Sequence, residues 1–192
     1  MLAKALQPTV AKICLTLVLS VAMAVLFFHV ISQPFQVSGS SMNPTLSDRD
    51  YLLVDKFFLR GKDLRIGDLV IFQTEKDARY LVKRVAASEG DVVSIRDGKL
   101  CVNGQESPFT RDARDVLEGH GERWTVPPGH FFLLGDNLEL SKDSRSFGPV
   151  PLDRVVGRVI FRYLPLKEAR WFLEEPDSGP RPEERAGERS PS

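Results

Sequence analysis

Nineteen consecutive residues near the start of the chain, 13–31 (ICLTLVLSVAMAVLFFHVI), contain no Asp, Glu, Lys or Arg. A helix of about 20 apolar residues crosses the hydrocarbon core of a bilayer, so this run predicts a single transmembrane anchor. Lys4 and Lys12 precede it, and no basic residue follows between positions 32 and 47. Positive charge stays on the cytoplasmic side during insertion. Residues 1–12 are therefore expected inside, and all that follows must fold outside. A cleaved export signal is the competing reading. The flank Ile31-Ser32-Gln33-Pro34-Phe35 has no small-x-small site, and Ser38 with Ser40 makes only a weak one, so the anchor is expected to be retained.

Residues 32–173 read as one β-rich domain. Strand-like runs at 51–57, 68–74, 79–86, 91–96, 99–102, 130–134 and 155–163 are separated by Gly-Asp, Asp-Gly and Asn-Gly signals. Asp97-Gly98 predicts a tight hairpin turn, and Asn103-Gly104 a second one. The charged stretch 107–123 predicts a surface excursion. Strands with little helix between them predict an antiparallel, partly closed sheet and exclude a βαβ fold. Residues 174–192 (EEPDSGPRPEERAGERSPS) hold no aromatic or branched aliphatic side chain. They cannot bury enough apolar surface to offset ordering and are expected to be disordered.

Several function classes fall away on composition. Formal net charge is zero, so nothing favours nucleic acid or another polyanion. Cys14 lies in the apolar run and Cys101 far along the chain, so no disulfide is expected between them. Two scattered Cys and three scattered His argue against a zinc site. No metal or cofactor is called for, and nothing in the sequence fixes an oligomeric state.

Two residues carry the strongest chemical signal. Ser41 sits in Gly39-Ser40-Ser41-Met42-Asn43-Pro44, where Gly39 and Pro44 suit a turn that points a side chain into a cleft. Lys83 sits in Tyr80-Leu81-Val82-Lys83-Arg84-Val85. Strand alternation puts Leu81, Lys83 and Val85 on one face, an apolar setting that is costly for an ammonium ion. A lysine amine becomes a base near neutral pH only when its charged form is disfavoured, and burial does that. A serine hydroxyl beside such a base becomes a nucleophile. An edge-strand lysine that snorkels to water and a plain loop serine are the alternatives. In the loop that begins Gly135-Asp136-Asn137, Asp143 and Arg145 suit a carboxylate–guanidinium pair. Ser141 suits a hydroxyl that orients an amine. There is no S-x-x-K, G-x-S-x-G, P-loop or H-E-x-x-H motif, and neither His120 nor His130 lies in a motif with Asp.

Four blocks in this order resemble the bacterial type I signal peptidases (leader peptidases). They are Pro34-Phe35-Gln36-Val37 with Ser41-Met42-Asn43-Pro44-Thr45-Leu46; Gly67-Asp68-Leu69-Val70; Val82-Lys83-Arg84-Val85 with Gly90-Asp91; and Gly135-Asp136-Asn137 with Ser141, Asp143, Ser144 and Arg145. The resemblance reaches from the anchor to about residue 164. It implies a membrane-bound serine endopeptidase, mostly β, that removes signal peptides from exported preproteins on the outer face of a bacterial cytoplasmic membrane. Ser41 would be the nucleophile and Lys83 the general base. Ser141 would hydrogen-bond the Lys83 amine, and Asp143 with Arg145 would hold the site together. The Ser41 N–H would form part of the oxyanion hole. Substrate would add as an extended strand beside residues 81–83 and the segment before Ser41. Phe35, Val37, Leu81 and Val82 would lie along shallow apolar pockets for the small side chains of A-x-A sites.

The match has departures. Many members have serine two residues before the nucleophile; here Gly39 stands there, as in other members, and the second oxyanion donor is left unassigned. A loop that often reads GDNRDNS reads GDNLELS here, and Ala86-Ala87-Ser88-Glu89 replaces the usual Gly and Pro. Lysine at the base position favours the bacterial type over the microsomal type, which has histidine. A peptidase specialised for pilus or conjugation precursors, and a membrane-tethered β-domain that binds peptides without cutting them, are the alternative functions.

Overall fold

The computed structural model describes residues 2–56, 64–75, 77–96, 99–109 and 123–172; within the first helix, side chains are described at 10–23 and 25. The chain divides into two compact units, Met1–Gln33 and Pro34–Ser192. The first is the helix α1, Leu2–Ile31, 30 residues and about 45 Å long at 1.5 Å per residue. The expected span 13–31 lies inside it. Among the described residues no helix is long and apolar enough to cross a membrane.

The second unit is antiparallel β, as its alternating runs predict. In chain order the strands are β1 Ser32–Gln36, β2 Tyr51–Asp55, β3 Leu69–Gln73, β4 Tyr80–Ser88, β5 Val92–Arg96, β6 Lys99–Val102, β7 Gln105–Glu106, β8 Arg123–Thr125, β9 His130–Leu134, β10 Val150–Pro151, β11 Val155–Leu164 and β12 Arg170–Trp171; a one-turn helix, α2, spans Ser144–Phe147. Among the described residues eight strands form one sheet in the order β1-β2-β11-β3-β4-β9-β10, with β12 beside β11, and four form a second, β7-β6-β5-β8.

β3 reads Leu-Val-Ile-Phe-Gln, and its first four residues are buried. Its alternate side chains feed two different apolar clusters. Leu69 and Ile71 join Val37, Met42, Leu46 and Val82, whereas Val70 and Phe72 join Val85, Phe131 and Leu133. A third cluster, with Val93, Leu100 and Phe132, lies under the smaller sheet. Each such side chain withdrawn from water contributes about 1.5–3 kcal/mol. The larger sheet also curls. β1 and β4 stand four places apart in strand order, yet the rings of Phe35 and Tyr80 meet edge to face, centroids 5.6 Å apart.

The sequence expectations need correction at several points. β1, β7, β8, β10 and β12 are not among the expected strands: β1 (SQPFQ) shows no clear alternation, and the others have two or three residues each. The stretch 107–123 is not wholly a surface excursion. Ser107 is buried, its N–H donates to Leu100 O at 2.9 Å, and Arg123 opens β8. Residues 110–122, the Asp97-Gly98 turn, Phe57 and the tail 174–192 lie outside the described residues. The Asn103-Gly104 turn is present, with φ of 52° and 84°, the left-handed pair that a type I′ hairpin requires.

Candidate active site

The loop from Val37 to Asp50 presents Ser41. Its base is closed by two backbone hydrogen bonds, Val37 N–H to Asp50 O at 2.8 Å and Arg49 N–H to Val37 O at 2.9 Å. Met42 and Leu46, both fully buried, peg it into the apolar cluster, and the Leu46 N–H donates to Met42 O at 2.9 Å. Gly39 turns the chain with φ of 93°, a left-handed conformation that glycine adopts without strain. Its N–H donates to the Asp48 carboxylate at 2.8 Å. Between these fixed points Ser41 is left half-buried.

β4 carries Lys83 to the same place. Lys83 is paired across the sheet with Val70, and with 2 % of its surface exposed it is among the most buried large side chains. Its Nζ lies 2.7 Å from Ser41 Oγ and donates to Val82 O at 3.0 Å. Burial pushes its pKa down to about 8 from 10.5; the carboxylates of Asp143 and Asp136 pull it back up, and the Arg145 guanidinium pushes it down. In its uncharged form that amine can accept the proton of the neighbouring hydroxyl, which is the arrangement that makes serine a nucleophile. The edge-strand alternative for Lys83 is excluded by its burial.

The loop after β9 forms the opposite wall. Asn137 N–H donates to Ser41 O at 3.0 Å. Gly135 stands where any Cβ would collide with the Ser141 side chain and come within 2.5 Å of Ser41 O. Asp143 is fully buried. It accepts from Gly135 N–H at 3.0 Å, from Arg145 Nε at 2.8 Å and from Arg145 Nη2 at 3.0 Å, and it caps α2 through the Arg145 N–H. Arg145 Nη2 also donates to Leu138 O at 2.8 Å and Ser141 O at 3.2 Å. One bidentate pair thus closes the whole loop on itself.

One expectation is corrected. Ser141 Oγ is buried but has no hydrogen-bond partner among the described residues, so the bond expected from it to the Lys83 amine is not made. The four expected pocket residues divide between two apolar clusters. Phe35, Val37 and Val82 pack in one cluster, while Leu81 packs with the other, because neighbouring residues of a strand face opposite ways. Val37 and Val82 are buried core members.

The residue reading also missed two ion pairs, one half-buried and one buried. Arg84 grips Asp136 with Nε and Nη2, both at 2.7 Å, and donates to Gly67 O at 2.8 Å. This ties the strand of Lys83 to the loop of Gly135. Arg162 pairs with Asp50 at 2.9 Å. Arg84 and Asp136 fall inside motif blocks and were within reach of the sequence; Arg162 and Asp50, 112 residues apart, gave no signal.

Comparison with known proteins gives the family. The family model "Signal peptidase, peptidase S26" matches residues 10–164. Signal peptidase IB of Staphylococcus aureus (strain MRSA252) is 32% identical over 175 residues, covering 80% of this chain and 91% of that protein. Thylakoidal processing peptidase 1, chloroplastic, of Arabidopsis thaliana is 35% identical over 159 residues; the match takes in 76% of this chain but spans only 46% of the plant protein. A crystal structure of a signal peptidase I from Enterococcus faecalis V583 aligns at 30% identity and a TM-score of 0.39, over 50% of this chain and 96% of that one. With a family model matched over most of its length, the chain belongs to the signal peptidase family, peptidase S26, and is a serine endopeptidase.

Proposed function

We propose that this enzyme removes signal peptides from exported preproteins, with Ser41 as nucleophile and Lys83 as general base. The single observation that carries the assignment is the 2.7 Å approach of Ser41 Oγ to the Lys83 amine. The surrounding burial supports it, because only an uncharged amine can accept the serine proton. Oγ attacks the scissile carbonyl as its proton passes to Nζ. Lys83 then gives that proton to the leaving amine, and an acyl-enzyme remains on Ser41. Water deprotonated by Lys83 completes hydrolysis. Among the described residues nothing accepts from the Ser41 N–H, which leaves it available to the oxyanion.

A free strand edge supports extended substrate binding. β4 pairs with β3 from Tyr80 to Arg84, but its pairing with β9 begins only at Arg84. Among the described residues no strand pairs with 80–83 on that side, beside Ser41, and such an edge is one on which a peptide adds as a strand. The intact dyad spacing speaks against the non-cleaving alternative. The uncharged run 13–31 within α1 supports a single-pass anchor in a bacterial cytoplasmic membrane. Residues 1–12 would lie inside and the β unit outside, beside the bilayer from which signal peptides emerge. Detergent-solubilised protein is expected to cut a generic preprotein at its A-x-A site. Ser41→Ala and Lys83→Ala are each expected to abolish cleavage while remaining folded. Full processing by purified Lys83→Ala overturns the assignment.

A further inference from the structure

The geometry points to Arg162 as a positioning residue for the reaction at Ser41, an inference that rests on the serine–lysine reading above. Arg162 lies near the end of β11 and is buried. Its Nη1 donates to Asp50 Oδ2 at 2.9 Å and to the Thr45 carbonyl at 3.3 Å. Its Nε donates to Glu168 O at 2.8 Å, and the Glu168 carboxylate lies 3.2 Å from Nη1, so the guanidinium plane is fixed from behind as well as in front.

Asp50 spreads that grip over the nucleophile loop. Its Oδ2 also accepts the Ser47 N–H at 2.9 Å, and its carbonyl accepts the Val37 N–H at 2.8 Å. One guanidinium therefore sets both the closed base of the loop and its far side. Thr45 is held twice, by Arg162 at its carbonyl and by Arg84 Nη2 at its hydroxyl, 3.4 Å away. Arg84 follows Lys83 directly. The height of the serine loop and the position of the lysine strand thus meet at one residue, four before which stands Ser41.

Stability is a poor reason for such a pair. A buried ion pair contributes little net stability compared with apolar residues of the same size, while a planar fork fixes direction. Met42 and Leu46 already anchor the loop by packing. What packing leaves soft is the last fraction of an ångström at Ser41, and a misplacement of about 1 Å costs on the order of 100-fold in rate.

The experiment uses the full chain in detergent with a signal-peptide substrate. It compares Arg162→Met, Arg162→Lys, Arg162→Met/Asp50→Asn and, as a control at an exposed pair with Glu75, Arg154→Ala. Arg162→Met is expected to lower kcat by about 10- to 100-fold with KM within about twofold, and Arg162→Lys to recover part of the loss. Removing both charges restores the melting temperature that Arg162→Met loses, because no lone buried charge remains, yet turnover stays slow. Arg154→Ala keeps the parent rate. A double variant whose kcat returns with its stability, or a folded Arg162→Met with unchanged kcat and raised KM, overturns the inference. Ser41→Ala run alongside separates the two readings: if it still processes substrate, the serine–lysine assignment has failed, whatever Arg162 does.

Discussion

Lys83 is a cost the fold bears for chemistry. Its folded pKa of about 8 lies below the 10.5 of a free lysine. Between those values the unfolded chain holds a proton that the folded chain has released, so stability rises with pH through that window. Below about 8 both states are protonated and the penalty is at its full size. Lys83→Met is therefore expected to abolish processing yet stabilise the protein at neutral pH, by roughly 1–3 kcal/mol. Urea midpoints check this, and the advantage of the variant should shrink as pH is raised toward about 10. Gly135 makes a separate claim at the same scale. An added Cβ collides with Ser141 and reaches within 2.5 Å of Ser41 O, so Gly135→Ala should push the serine away from the amine. At least a tenfold, roughly 10- to 100-fold, loss of kcat is expected; a kcat near the parent value removes Gly135 from the positioning of Ser41.

Elements reach the site through a few buried polar ties. Asp143 and Arg145 close the loop after β9, and breaking a buried pair from one side costs about 3–5 kcal/mol. Asp143→Ala should lower the denaturation free energy by that order, and a shift under about 1 kcal/mol would place the pair among the weak surface contacts. The elements themselves were largely legible. β3, β4, β9 and β11 are rich in apolar residues, and each has consecutive buried residues and so is covered on both faces. β10 and β12 have two residues each, too few to show a period, and exist because longer neighbours offer them hydrogen bonds. Lys83 stood out because a lysine in an apolar strand is anomalous, but its partnership with Ser41 was legible only through the four motif blocks taken together. The link from Arg162 to Asp50 was not, because pairing across 112 residues is set by topology and leaves no local pattern. The bond expected from Ser141 to Lys83 came from resemblance alone, and in the structure Ser141 Oγ stands without a partner.

The molecule as a whole couples an apolar helix to a β unit that begins at Pro34. Three apolar clusters lie within the β unit, enough core to fold without the helix. A chain starting at Pro34 should therefore stay soluble and folded, cut a short soluble peptide, and no longer sediment with lipid vesicles. Sedimentation unchanged by the truncation would contradict the anchor. The account rests most heavily on an uncharged amine at Lys83, and the pH dependence of kcat/KM reports the free enzyme's base directly. The profile should rise with unit slope through the acid range and level off near the value of about 8 that burial sets for Lys83. A rate that is flat from about pH 6 to about pH 9 would contradict a lysine base with that pKa.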